Sequence, residues 1–174
     1  MRALAHAAWR LSSRLPLVLL LLVAASASEP ATIHVQPTDS VGPRQLEKTT
    51  EQSVVRDYLK SWQTLDAAMD NSNPDLLNAY FVGLAKDKLA NTVREQRKLG
   101  INTRYRDRAH DIQITFYSPE GLSLQLVDTV DYDVQVVDHG KTQPAQRVRA
   151  RYVAVLTPTE MKWKVRIFQA EPLR

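Results

Sequence analysis

The sequence predicts an α+β domain in which three N-terminal helices pack on a curved, four-stranded antiparallel meander, giving a cone-like shape. Two observations lead to this fold class. Apolar residues recur at helical spacing up to about residue 99, and from residue 112 onward they recur at every second position. The connections between the later segments are short, which is typical of antiparallel strands with one buried face.

Three helices are predicted between residues 46 and 99. The first spans 46–70 and carries one apolar stripe. Asn73 followed by proline is an N-cap with proline at the first helical position, which predicts a short second helix over 74–82. The third spans 84–99 and ends at a glycine; its many charged side chains indicate a largely solvated surface.

Four strands are predicted over 112–116, 122–136, 148–156 and 163–167, separated by turns rich in proline, glycine and aspartate. The second and third are long, and long strands in a small sheet twist and curl. The helices must cover the apolar face, because no other element can. The alternation places three strand-end residues on the inner face. These are Phe116 at the end of the first strand, Leu122 at the start of the second and Ile167 at the end of the fourth.

Residues 1–27 are predicted to be a signal peptide. Basic residues precede an apolar run over 15–25, which ends in the small residues Ala25-Ser26-Ala27. This run is short for a helix that must cross about 30 Å of hydrocarbon, which needs roughly 20 residues. We therefore expect an exported protein, periplasmic or secreted, that is membrane-anchored only if the signal is not cleaved. Residues 28–45 lack periodicity and are predicted to be a flexible tether, and the domain is expected over 46–174.

Charge and residue usage exclude several classes of site. Removing the signal discards three of the 23 basic residues and none of the 19 acidic ones, so the formal net charge falls from +4 to +1. This does not support nucleic-acid binding. Without cysteine, disulfides and thiolate chemistry are excluded. The four histidines have no metal-ligand spacing and no phosphate-binding loop is present, so we expect no metal and no cofactor.

A family resemblance rests on two helical patterns and on residues of two strands. These are Val54-Val55 with Tyr58-Leu59 and Trp62, then Leu76-Leu77 with Tyr80-Phe81 and Gly83-Leu84, then Tyr105, and finally Trp163-Lys164-Val165. With these features the chain resembles the nuclear transport factor 2-like superfamily of cone-shaped domains over roughly residues 50–170. It is most similar to the domain at the C-terminal, intermembrane-space end of plastid-division proteins. That resemblance implies a partner-binding module without chemistry, although related cones also serve as enzymes and small-ligand binders.

Asp128 and His110 are the candidate catalytic residues. Both share the apolar phase of their strands, so alternation points a carboxylate and an imidazole into the cone. A three-residue loop over 119–121 would place Ile112 opposite Asp128 and His110 opposite Val130. The two candidates then become diagonal neighbours about 7–8 Å apart. A β-bulge would instead turn Asp128 outward, where it would only anchor a loop or a helix N–H.

Aromatic residues are the candidates for lining a ligand site in the hollow. Tyr58, Trp62, Tyr80 and Tyr132 could contact or hydrogen-bond a small molecule there. The alternative is that all four are ordinary core residues.

The outer face of the sheet is the candidate partner-binding surface. It is expected to carry six cations, three from the third strand and three from the fourth: Arg147, Arg149, Arg151, Lys162, Lys164 and Arg166. Such a cluster would suit an acidic protein surface, an anionic envelope lipid or self-association. The alternative is a solvated face in which Asp131 and Asp133 pair with some of the arginines, at little energetic gain.

The leading functional hypothesis is therefore an exported, non-enzymatic interaction module that binds a protein partner through the sheet face or the cone mouth. The alternative is a small-molecule site in the cone with isomerase or hydratase chemistry. A third interpretation is an accessory domain of a secretion apparatus.

Overall fold

The computed structural model describes residues 29–38 and 41–172. In chain order, its elements are β1 (Thr32–Val35), α1 (Lys48–Asp70), a 3₁₀ helix (Pro74–Ala79), α2 (Gly83–Lys98), β2 (Ile101–Tyr117), β3 (Leu124–Asp138), β4 (Lys141–Thr142), β5 (Gln146–Pro158) and β6 (Trp163–Glu171). The predicted signal peptide lies outside the described residues. No helix among the described residues is long and apolar enough to cross a membrane.

The strands form one mixed sheet of six, with the order β1-β2-β3-β5-β6 and with β4 paired to β3. The four long strands are antiparallel, as expected from their short connections. The prediction of only four strands was wrong, because β1 adds to the edge of β2 in parallel orientation.

Strand β1 lies inside the segment that the sequence predicted to be a tether without regular structure. Beyond it, the chain keeps following β2: the Gln36 N–H donates to the Ile112 carbonyl, and Pro43 bridges to Tyr117. The Arg44 guanidinium lies 5.2 Å from the centre of the Tyr117 ring. Residues within 32–38 and 41–44 therefore contact the edge of β2, where the sequence predicted a free tether.

Helix α1 places one apolar stripe across the inner face of the sheet, as its periodicity predicts. Its buried stripe residues are Val54, Tyr58, Trp62, Leu65 and Met69. The predicted second helix is a shorter 3₁₀ helix, whose N-cap Asn73 side chain accepts from the Asp75 N–H. Helix α2 buries little more than small residues and is otherwise solvated, as expected.

Two β-bulges overturn parts of the predicted inward face. An extra residue at Thr115 shifts the β2–β3 register, so Phe116 is 40% exposed and Tyr117 enters the core at 6%. An extra residue at Arg166 shifts β6 against β5 in the same way. Ile167 therefore faces outward opposite Val155, and Phe168 takes the inner position. A bulge reverses the alternation of every later residue in its strand, and residue types alone did not show where the bulges fall.

The predicted inward position of Leu122 is also wrong. Leu122 lies in the turn between β2 and β3, because β3 begins only at Leu124. Its side chain is 62% exposed.

Candidate functional site

The centre of the inner face carries a buried acid–base pair. The predicted register is confirmed, with Ile112 opposite Asp128 and His110 opposite Val130. Asp128 is fully buried and His110 is 2% exposed. Asp128 and His110 are diagonal neighbours along the backbone, but their side chains meet, and His110 Nδ1 lies 2.7 Å from Asp128 Oδ2.

Two further side chains complete this network. The Tyr58 hydroxyl, on α1, donates to Asp128 Oδ2 at 3.0 Å. On the far side of the imidazole, Asp107 Oδ2 lies 3.6 Å from His110 Nε2. The histidine is thus held between two carboxylates, and one of these carboxylates also accepts from a tyrosine.

Asp107 was missed by the sequence reasoning for a definite reason. Its number is odd and that of His110 is even, so strict alternation puts them on opposite faces of the sheet. A bulge at Arg108 shifts the β2–β3 register between them and brings both to the inner side.

The two carboxylates change the protonation of the histidine. Burial disfavours the charged imidazolium, but the hydrogen bonds and negative charges of Asp107 and Asp128 outweigh it and raise the pKa of His110 to about 9. Burial and the neighbouring Asp128 raise the pKa of Tyr58 well above its ordinary value. At neutral pH the network therefore contains an imidazolium and a neutral phenol, which suit proton donation more than proton abstraction.

Aromatic rings fill the space around this pair. The Trp62 ring centre lies between 5.1 and 5.9 Å from four other ring centres, those of His110, Tyr132, Tyr152 and Phe168. The hydroxyls of Tyr132 and Tyr152 lie 3.3 Å apart. Three of the four predicted ligand-lining residues, Tyr58, Trp62 and Tyr132, therefore surround the acid–base pair.

Tyr80, the fourth, lies elsewhere. Its backbone carbonyl accepts from the Val165 N–H at the edge of β6. The Lys162 ammonium lies 4.4 Å from the centre of its ring. Tyr80 therefore helps to close the sheet edge and does not join the interior network.

The acid–base pair is enclosed by its neighbours. Asp128, His110 and Tyr58 are buried, and none of them is a lining residue of five clefts found on the described part of the chain. Asp128 Oδ1 and Trp62 Nε1 are buried without a hydrogen-bond partner among the described residues. A buried polar atom without a partner costs roughly 1–3 kcal/mol, so a further hydrogen-bond partner at either atom would be stabilising.

The outer face of the sheet differs from the predicted six-cation cluster. Arg147, Arg149 and Arg151 do lie together on the outer face of β5. Lys164, however, pairs with Thr157, and Arg151 pairs with Glu171. Thr157 and Arg151 are six positions apart on β5, which is roughly 20 Å at the rise of an extended strand. The expectation of one six-cation cluster is therefore wrong.

The three cations near β6 have separate local contacts. Lys162 lies in the turn before β6, over the Tyr80 ring. The Lys164 ammonium donates to the Asn78 carbonyl at 2.8 Å, and Arg166 occupies the bulge. These contacts spread the three side chains along the edge of the sheet.

A different arginine group joins the β5 group. Arg106 and Arg108 are exposed on β2, which begins about ten residues earlier than predicted, whereas Arg104, also exposed, donates to the Asp70 carboxylate at the end of α1. Arg108 makes two hydrogen bonds to the Asp133 carboxylate, at 2.8 and 2.6 Å. In the sequence, these arginines alternate with Tyr105 and Asp107, a pattern that indicates a strand. The pattern was missed because the strand was predicted to begin later, at residue 112.

Aspartates on β3 lie between these two groups of arginines. Arg106 on β2, Asp133 on β3 and Arg147 on β5 occupy one row of the register, and Asp131 lies opposite Arg149 in the next. The predicted pairing with the β5 arginines is observed for Asp131, which lies 3.6 Å from the Arg147 guanidinium, whereas Asp133 pairs with Arg108 of β2.

The largest of the five clefts lies at one end of this face. Its volume is about 860 Å³, and it is lined by Thr129, Arg149, Arg151, Gln169, Ala170, Glu171 and Pro172. Arg151 lies 3.3 Å from the Glu171 carboxylate. Arg149 forms no ion pair with any described residue. We call this cleft, defined by these seven residues, the outer groove.

The described residues contain no group of three or more histidine, aspartate or glutamate side chains that could hold a metal ion.

Several solved structures are similar to this chain. The intermembrane-space region of the chloroplast protein ARC6 is 15% identical, with a TM-score of 0.60 over 74% of this chain and 98% of that one. A putative scytalone dehydratase from Novosphingobium aromaticivorans is 15% identical, with a TM-score of 0.49 over 74% and 94%. A putative dehydratase of the NTF2-like family from Streptomyces avermitilis is 12% identical, with a TM-score of 0.47 over 71% and 99%.

No protein-family model and no curated protein matches the chain. The resemblance predicted from the sequence is confirmed for the fold, which is the nuclear transport factor 2-like cone, similar to the ARC6 region. At this level of identity the likeness shows the fold alone. The fold is compatible with both interaction modules and enzymes.

Proposed function

We propose that this nuclear transport factor 2-like domain is a non-enzymatic interaction module that works outside the cytoplasm and binds a protein partner on the outer face of its sheet. The proposal rests on the contrast between the two faces. The inner face is filled by α1 and by aromatic rings, and its acid–base pair is buried. The outer face carries exposed arginines around the largest cleft.

Charge supports a protein partner on this face. Arginine guanidinium groups bind carboxylates through paired hydrogen bonds and are enriched at protein interfaces. The β5 arginines remain exposed even where they have an acidic neighbour, with 67% of the Arg147 side chain and 46% of the Arg151 side chain accessible. An anionic envelope lipid or a second copy of the chain is the competing occupant of the same surface.

The test is native mass spectrometry of the mature protein, residues 28–174, recovered from its native extract. Three forms are compared: the wild type, the double variant Arg149→Glu/Arg151→Glu, and the control Lys60→Glu/Lys88→Glu. The control makes the same charge change at exposed helix positions. We expect the wild type and the control to retain a protein partner and the arginine variant to lose it. A small molecule retained by all three forms would refute the module.

A second candidate function is acid–base chemistry on a small apolar compound, such as isomerisation or hydration. Two observations favour it: His110 lies between two carboxylates, and Asp128 Oδ1 has no hydrogen-bond partner among the described residues. With its raised pKa, His110 would act as the general acid and Asp128 would position it.

This candidate requires the ring cluster around Trp62 to open, because the pair is buried beside it. It predicts that Asp128→Asn abolishes turnover while Arg149→Glu leaves turnover unchanged. If Asp128→Leu is stabilising and leaves activity unchanged, the acid–base candidate is excluded.

A further inference from the structure

The arginines of β5 form an evenly spaced column. Arg147, Arg149 and Arg151 occupy alternate positions of one strand and share its outer face. Alternate residues of an extended strand lie about 6.6 Å apart along its axis. Another extended chain repeats its side chains at the same interval, so an extended peptide can place an acidic side chain near each arginine in turn.

The central arginine of this column is the one available for a new carboxylate. Its neighbours already have acidic contacts, Arg147 with Asp131 at 3.6 Å and Arg151 with Glu171 at 3.3 Å. Asp131 lies opposite Arg149 in the register, but its ion pair is with Arg147. A guanidinium without an ion pair offers a fork of donors that matches a carboxylate.

The outer groove also contains groups suited to a peptide main chain. Thr129 brings a hydroxyl and Gln169 an amide, one on each side of β5. Such side chains can bond the N–H and C=O groups of an extended segment. A recess of this kind accepts a narrow chain more readily than a flat bilayer surface.

The spacing of the arginines selects the arrangement of charge in the partner. In a contiguous acidic run, half of the side chains would face away from the sheet and would not reach an arginine. Acidic residues at alternate positions all face the sheet together and meet the arginine column.

We infer that the outer groove binds an extended acidic segment of a protein partner, with carboxylates at alternate positions and Arg149 as the anchor. This inference rests on the proposed function and names the chemistry of the partner.

The experiment measures the binding of two labelled synthetic peptides by fluorescence anisotropy. In one peptide aspartates alternate with threonines, and in the other the same residues are rearranged so that the aspartates are contiguous. We expect the alternating peptide to bind roughly tenfold more tightly, and its affinity to fall between about 50 and 150 mM salt because exposed charges are screened.

Three variants locate the site. Arg149→Glu should weaken the alternating peptide roughly tenfold or more, and Arg149→Lys should weaken it less, because lysine keeps the charge but loses the fork of donors. Lys60→Glu makes the same charge change as Arg149→Glu on α1 and should bind like the wild type. Equal affinity for the two peptides, or equal affinity of the wild type and Arg149→Glu, would overturn the inference. Binding to phosphatidylglycerol vesicles without binding to either peptide would overturn it in favour of lipid.

The two proposals fail in different ways. If the arginine variant loses a protein partner from the native extract while neither peptide is preferred, the interaction module stands and the acidic segment is wrong. If the wild type retains only a small molecule, the module itself is wrong.

Discussion

Raising the pH from about 6 to about 9 should destabilise this protein through His110. Asp107 and Asp128 raise the pKa of His110 in the folded state from an ordinary 6.5 to about 9. A histidine whose pKa is higher in the folded state than in the unfolded state stabilises the fold below the unfolded value. That stabilisation is lost as the pH rises through the folded value. Each unit of pKa difference is worth about 1.4 kcal/mol, so the expected loss is roughly 3 kcal/mol.

The assay is urea unfolding at pH 6, 7.5 and 9, followed by tryptophan fluorescence. The unfolding free energy of the wild type should fall over this range, and its melting temperature should drop by roughly 6–12 °C for a domain of this size. His110→Gln should be less stable at pH 6 and should lose most of the pH dependence. His139→Gln is the matched control, because the His139 side chain is 75% exposed, and it should keep the wild-type slope.

Tyrosine ionisation does not interfere in this window. Burial raises the pKa of Tyr105 to about 12, and that of Tyr58 is also raised, so both phenols stay neutral at pH 9. A wild-type stability that is flat or rising between pH 6 and 9 would contradict the reasoning. An unchanged slope in His110→Gln would contradict it equally.

Three further predictions concern packing and chain connection. Trp62→Ala should lower the free energy of unfolding in urea by roughly 3–5 kcal/mol, because it removes the ring at the centre of the interior cluster. Leu122→Ala, at an exposed turn, is the control and should change that free energy by less than about 0.5 kcal/mol. Asp57→Ala should cost roughly 1–3 kcal/mol, because Asp57 Oδ2 accepts from the buried Trp163 N–H at 2.9 Å; Asp57→Asn, which keeps an acceptor, should cost less. Deleting residues 28–45 should speed hydrogen exchange along the edge of β2 and promote aggregation, and unchanged exchange there would show that this segment does not protect the edge.

The acid–base pair was predicted through one correct rule and two deviations that cancel. Side-chain alternation placed Asp128 and His110 on the inner face, but the predicted three-residue loop over 119–121 is wrong, because the Ser118 N–H donates to the Ser123 carbonyl. The bulge at Thr115 offsets the extra loop residue, so Ile112 still lies opposite Asp128 and His110 opposite Val130. Asp107 was not predictable by the same rules, because the bulge at Arg108 reverses the alternation.

The N-terminal strand was not predictable for a different reason. The sequence Thr32–Val35 is rich in β-branched residues, but it is short and flanked by prolines. Its partner on β2 begins at Ala109, far along the chain. A short segment becomes a strand only when such a distant edge is available, and local composition does not reveal that edge.

The sequence alone predicted the helical region, the long strands β3 and β5 and the buried faces of α1 and β3, because these features follow from the spacing of apolar residues within each element. It did not predict the first part of β2, from Ile101 to Asp111. Tertiary structure decided how the elements are offset from one another. It moved the cations of β6 away from the arginines of β5, brought the arginines of β2 to the same face, and filled the cone with aromatic rings. Bulges and distant strand pairing set these offsets, and both depend on packing between elements rather than on the pattern within any one of them.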